Sequence, residues 1–189
     1  MKVIVFDTET TGFPLGRNVP PFMSGNYNSA RMIEIGYIIM ENNEIIKKVD
    51  HLINHDEFTE LTNSHIHGIT MDMLNIQGKK MLDVLKELEN DIQDVDLIVS
   101  HNFNFDFSIL MSEIYRYYPV FNKLLGYMYS KPSYCTMLHG MKYLQQRKWP
   151  KLKDLYLHLY PMSSYEQTHR ALDDAEICAK CYLKLIAEQ

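Results

Sequence analysis

Short apolar runs punctuate this chain, and their lengths leave few architectures open. Val3-Ile4-Val5-Phe6 and Leu97-Ile98-Val99 are runs of the kind that cross a sheet with both faces covered. Residues 32–40 and 44–53 read as two further strands, with Glu41-Asn42-Asn43 as the hairpin turn between them. Helical periodicity replaces this pattern at 79–93, where Met81, Leu82, Leu85, Leu88 and Ile92 share a face. Helices are also predicted over 104–117, 137–146, 151–159 and 170–187, with a short strand near Tyr134-Cys135. Residues 12–30 carry Pro20-Pro21 and several Ser and Asn, and read as a long loop. A hairpin followed by strands alternating with helices predicts an α/β fold. It would be a mixed five-stranded sheet flanked by helices, in a single domain over 1–189.

The 189 residues suffice for one full core. No stretch approaches the roughly 18 apolar residues of a membrane span, so no membrane partner is expected. The opening Met-Lys-Val-Ile-Val-Phe meets Asp7 at once, which leaves no export-signal core. With three cysteines, an odd count, this predicts a reducing intracellular setting, cytoplasmic or nuclear. Cys178 and Cys181 form a lone CxxC, which is expected to serve packing, since a zinc site needs four ligands.

Acids gather at the ends of the apolar elements. Asp7 and Glu9 follow the first strand, and side chains at i and i+2 project to one face. Two carboxylates this close are costly unless a cation neutralises them, although a solvated strand end reads the same way. Thr10-Thr11-Gly12 then makes a flexible turn whose backbone amides could face a substrate. In the last helix, Ala171, Ala175, Cys178, Cys181, Tyr182 and Leu185 form an apolar stripe that includes Asp174, while Asp173 lies on the polar face. An inward acid needs a partner or a metal. His169, near the start of that helix, is then a candidate general base. Asp106 opens another helix on the face of Ile109, Leu110 and Ile114; it reads either as an acid favoured by the helix dipole or as a further ligand. Oxygen ligands of this kind suit a magnesium pair that activates water and stabilises a leaving oxygen.

The ordered set DTETTG (7–12), HNFNFD (101–106) and HRALDD (169–174) resembles the three motifs of DnaQ-like 3′–5′ exonucleases, the DEDDh branch of the ribonuclease H-like nucleases. All five functional positions match, and the resemblance runs from Val3 to about Leu185. It implies a ribonuclease H-like fold. It implies that Asp7, Glu9, Asp106 and Asp174 hold two divalent cations, Mg²⁺ or Mn²⁺, and that His169 takes the proton of the attacking water. HGIT at 67–70 resembles a family segment whose His67 would approach the terminal nucleotide. Phe105 would pack near the same site, and Lys151–Tyr156 resembles a scaffold helix.

The expected reaction releases nucleoside 5′-monophosphates from the 3′ end of single-stranded or frayed nucleic acid, DNA foremost. The loop between Gly12 and Arg31 exceeds that of the shortest members and would form a partly mobile rim or lid. Three alternatives stay open: an exoribonuclease or oligoribonuclease, a proofreading subunit held by a polymerase, and a catalytically silent nucleic-acid-binding protein. A tethering tail after the last helix is not expected, which weighs against the proofreading subunit. No apolar heptad marks a homodimer.

The net charge of −5 argues at first against nucleic acid, whose binders are usually basic. Its distribution argues otherwise. From Arg116 to Lys153 there are eight Lys or Arg and no Asp or Glu. Tyr117, Tyr118, Tyr127, Tyr129, Tyr134, Tyr143 and Trp149 are interleaved with them, about half of them expected in the core. Cations for phosphates and rings for bases are the parts of a single-strand track, and Arg147 and Lys148 are its expected contacts.

Overall fold

The computed structural model describes residues 1–58 and 60–187. Thr59, Glu188 and Gln189, which the expected domain also takes in, lie outside the described residues. The chain runs through β1 (Lys2–Thr10), β2 (Met32–Glu41), β3 (Glu44–Asn54), α1 (Ser64–His67), α2 (Met71–Gln77), β4 (Lys79–Lys80), α3 (Met81–Ile92) and β5 (Leu97–Ser100). It continues through α4 (Phe103–Arg116), α5 (Asn122–Ser130), β6 (Ser133–Cys135), α6 (Thr136–Tyr143), α7 (Leu152–Leu159) and α8 (Ala171–Ala187).

The strands form one mixed sheet in the order β4-β3-β2-β1-β5-β6. The β1–β2 and β2–β3 pairs are antiparallel, and β1–β5, β5–β6 and β3–β4 are parallel. The β2–β3 turn places Asn42 and Asn43 at φ 53° and 70°, the left-handed pair of a two-residue hairpin. The α/β class and the flanking helices are as expected. The sixth strand is new: Lys79 and Lys80 pair with Ile53 and Asn54, so α3 begins at Met81 rather than at 79.

The sheet separates two large cores, with a smaller third cluster around Ile33, Leu52, Ile69 and Leu74, and the period-2 alternation of β1 feeds the two large ones. Ile4 and Phe6 pack with α3, α4 and α5, while Val3 and Val5 pack with α7 and α8. By the same alternation, Asp7 and Glu9 face α8, and Thr8 faces α4. Helix α8 lies unusually close to the sheet. A Cβ added to Gly36 of β2 would sit 2.0 Å from the backbone nitrogen of Leu172, so only glycine admits this approach. Cys178 and Cys181 are free thiols inside the α8 core, pushed up by burial (Cys181 to about 12), as the packing reading of the CxxC expects. Among the described residues no helix is long and apolar enough to cross a membrane.

Candidate active site

Asp7 and Glu9 lie inside β1 rather than at its end. Pairing with β2 continues beyond the apolar run, through Thr8↔Ile35 and Glu9↔Glu34. The ladder therefore fixes both carboxylates. Asp106, 3% exposed, reaches the same place from the first turn of α4. Thr8 Oγ1 donates to its Oδ1 at 2.8 Å, and the Ser100 hydroxyl, from the end of β5, donates to Oδ2. Asp174, also 3% exposed, comes from α8; its oxygens accept from the Tyr165 hydroxyl at 2.8 Å and from Gln167 Nε2 at 2.7 Å. Asp173 turns to solvent and accepts from Thr168.

His169 joins this group through an uncommon backbone. Its φ is 52°, in the left-handed region, immediately before α8. Ligand atoms of Glu9, His169 and Asp174 lie within 4.8 Å of one another. The neighbouring Arg170 is clamped by Glu34, a fully buried residue of β2. Arg170 Nε donates to Glu34 Oε1 at 2.8 Å, and the first amide of α8, Ala171 N–H, donates to Oε2 at 2.9 Å. One buried carboxylate thus fixes both the start of α8 and the residue beside His169.

The four acids oppose one another. Burial, then Asp106, Asp174, Glu9 and Glu34, holds the Asp7 carboxyl well above the usual range. Burial and the same neighbouring acids push Glu9 up to about 9, and burial pushes Asp106 to about 7 against its two hydroxyl donors. Asp174 is raised as well, by burial foremost. A set of converging, desolvated oxygen donors that resist ionisation together is the donor set a hard divalent cation relieves, so these residues fit such an ion.

A cavity of about 890 Å³ opens over the acids. Asp7, Glu9, Asp106, His169 and Asp174 line it, and so do Phe105, Trp149, Lys151 and Lys153. His101, of the second motif, braces the far wall. A carbonyl only accepts, so His101 Nε2 carries the proton and donates to Pro150 O at 3.0 Å, while Nδ1 accepts from the Thr136 hydroxyl at 3.0 Å.

Other expected substrate contacts sit elsewhere. Thr10, Thr11 and Gly12 are outside this cavity's lining and tie the following loop instead. Thr10 Oγ1 donates to Gly12 O, and Thr11 Oγ1 donates to Ser29 O and accepts from Arg31 N–H. His67 is 2% exposed; its Nδ1 accepts from Ile69 N–H, and its buried Nε2 has no hydrogen-bond partner among the described residues. Arg147 and Lys148 are exposed and do not line the cavity, whereas their neighbours Trp149, Lys151 and Lys153 do. Lys151–Tyr156, read as scaffold, therefore also presents two cations. Tyr117, Tyr127 and Tyr134 pack on the cores and Tyr118, Tyr129, Tyr143 and Trp149 are exposed, close to the even division expected. Glu34 and Thr8 escaped the sequence reading because their partners lie in distant elements, and Ser100, Tyr165 and Gln167 because their bonds to Asp106 and Asp174 depend on how loop and strand ends turn back toward a helix, which no periodicity encodes.

The sheet and the clustered acids are those of a ribonuclease H-like nuclease domain. The chain belongs to the exonuclease family RNase_T, whose model matches residues 4–182. It is 27% identical over 183 residues to a DNA polymerase III of the PolC type from Thermotoga maritima, a match covering 97% of this chain and 12% of that protein. The chain thus spans about an eighth of that relative. Among solved structures it is similar to exonuclease X in complex with 5′-overhanging duplex DNA, with TM-score 0.65, 20% identity, and coverage of 99% of this chain and 92% of the other. It is also similar to Pop2p of S. pombe in its Mg²⁺- and Mn²⁺-bound form, with TM-score 0.71, 16% identity, and coverage of 98% and 82%. At these identities the structural likeness shows the fold.

Proposed function

We propose that this domain is a metal-dependent 3′–5′ exonuclease that removes nucleoside 5′-monophosphates from single-stranded or frayed ends. The observation that carries the reading is the convergence of four mutually repelling carboxylates with His169 in one open cleft of a member of the exonuclease family. Asp7, Glu9, Asp106 and Asp174 would hold two divalent cations, Mg²⁺ or Mn²⁺. Bound there, the ions would acidify a water molecule and offset the charge that develops on the phosphate.

The chain's own groups do the rest. His169 takes the proton of the attacking water on an imidazole nitrogen. The water oxygen bonds to phosphorus, the bond from phosphorus to the 3′ oxygen of the penultimate nucleotide breaks, and that oxygen takes a proton from bulk water to leave as the new 3′ hydroxyl. Thr8 and Ser100 hold Asp106, and Tyr165 and Gln167 hold Asp174, so these two acids are fixed in place before substrate arrives. Trp149 and Phe105 offer ring faces to the terminal bases, and Lys151 and Lys153 offer charge to the phosphates. DNA is the favoured polymer, in keeping with the polymerase relative; that relative also supports a polymerase partner as the second reading.

The test uses 3′- and 5′-labelled DNA and RNA strands with Mg²⁺, Mn²⁺ or EDTA. Stepwise loss from the 3′ end, only with a divalent ion and abolished by Asp174→Asn, is expected. Digestion by Asp174→Asn at the wild-type rate, or progress in EDTA, would overturn the assignment.

A further inference from the structure

The left-handed backbone of His169 needs a hold from outside. A histidine keeps φ at 52° only where the surrounding structure over-determines it. On its N-terminal side, Tyr165 and Gln167 are tied to Asp174. On its C-terminal side comes Arg170, and then the first residue of α8, Ala171.

Strand β2 grips that second side. Glu34 and Gly36 stand two residues apart, on the face turned to α8. Gly36 lets the helix down: an added Cβ would lie 2.2 Å from the Ala171 carbonyl carbon and 2.0 Å from the Leu172 nitrogen. Glu34 then meets what arrives. It is 0% exposed, and both its oxygens are engaged. Oε1 accepts from Arg170 Nε at 2.8 Å and also from Nη2, while Oε2 accepts from Ala171 N–H at 2.9 Å. The first amides of a helix lack partners within it, and its N-terminus favours an anion, so one carboxylate answers both needs. The other acid near Arg170, Asp50, stands 3.9 Å away on an exposed residue, which leaves Glu34 as the main anchor.

The register adds a link to the acids. Glu34 lies opposite Glu9 in the β1–β2 ladder. A single rung of the sheet therefore carries Glu9 on one strand and the anchor of the residues after His169 on the other. Glu34 itself does not line the catalytic cavity.

We propose that Glu34 is a positioning residue for hydrolysis: through Arg170 and the Ala171 amide it sets where the His169 imidazole stands relative to Glu9 and Asp174. This rests on the exonuclease reading, with His169 as its base.

Glu34→Met removes both acceptors and keeps the length of the side chain. It should lower kcat about 10- to 100-fold, the cost of a misplaced group, with KM held within about twofold. Glu34→Gln is isosteric and keeps one acceptor oxygen, so its kcat should fall between those of the wild type and Glu34→Met; it carries the test if Glu34→Met does not fold. His169→Ala should lower kcat about 10²- to 10⁴-fold, and adding either Glu34 substitution to it should cost nothing more, because the anchor acts through the lost base. Mn²⁺ uptake should match the wild type in every variant, which separates a misplaced base from a displaced Asp174. Wild-type kcat in a folded Glu34 variant, an effect confined to KM, losses that add to that of His169→Ala, or reduced Mn²⁺ uptake would overturn the proposal. Amide exchange supplies a readout that needs no turnover. The Ala171 N–H should exchange about 10- to 150-fold faster in Glu34→Met, the loss of a hydrogen bond to a charged group, and faster than wild type in Glu34→Gln. Faster exchange with no hydrolysis by the wild type would keep Glu34 as the anchor and reject the nuclease reading; unchanged exchange would reject the anchor alone.

Discussion

Asp7 and Asp106 meet where burial and like charge both oppose their ionisation. Removing one charge should therefore stabilise the metal-free protein while removing its activity. Asp7→Asn should unfold in EDTA at a temperature higher by roughly 2–8 °C, a gain of about 1–2 kcal/mol, with hydrolysis lost. A lower melting temperature for the variant would mean that the charge is compensated within the protein. His101 behaves in the opposite sense to a paired histidine. Burial holds it near 4, below the usual 6.5, against the bond to Pro150 O that favours its charged form. Its contribution to stability is thus complete above about 6.5 and is lost as pH falls through about 4. Urea unfolding at pH 7, 5.5 and 4 should show this loss, on the order of 2–3 kcal/mol, and His101→Gln should reduce it. An equal loss in wild type and variant would remove His101 from the account. His169 holds a left-handed backbone at a cost of about 1–3 kcal/mol, a strain of the kind that gathers at functional positions.

Helix α8 depends on a sheet residue with no side chain. Gly36→Ala would drive a Cβ into the backbone of Leu172, so α8 must shift, and Asp174 with it. A stability loss of about 1–3 kcal/mol and a marked fall in hydrolysis are expected from unfolding and nuclease assays on the same variant; full activity would show that α8 tolerates displacement. The elements differ in how plainly the sequence announces them. The stripe Ala171–Leu185 identified Asp174 as the inward acid and Asp173 as the outward one, because helical period alone decides that. The β2–β3 hairpin was equally legible from Asn42-Asn43. Helix α5 was not: Gly126 interrupts Leu124, Leu125 and Met128, Asn122 and Ser130 are poor helix formers at its ends, and its burial comes from docking on the α3–α4 side. Strand β4 is two lysines whose pairing with β3 no local pattern encodes. The proposed catalytic set was legible because its chemistry is carried by residue type at fixed spacing. Two of its supports were hidden because Glu34 and Arg170 are 136 residues apart, and Thr8 and Asp106 are 98 apart.

At the scale of the molecule, the net −5 resolves into a clustered acidic site beside a basic segment that is itself divided. Arg116 fastens the long loop, and Lys131 caps carbonyls of Gln93 and Val95, so both serve the fold. Lys151 and Lys153 line the cleft. Lys151→Ala and Lys153→Ala should each weaken strand binding and lower its salt slope by about one, more than the exposed Arg147→Ala or Lys148→Ala; equal effects at all four positions would make the segment a diffuse field rather than a contact surface. The account as a whole rests on the four carboxylates holding divalent ions. Equilibrium Mn²⁺ binding followed by electron paramagnetic resonance tests this most directly. The wild type should take up two ions per chain, and folded Asp7→Asn and Asp174→Asn should each lose at least one. Undiminished uptake by both variants, or none by the wild type, would contradict it.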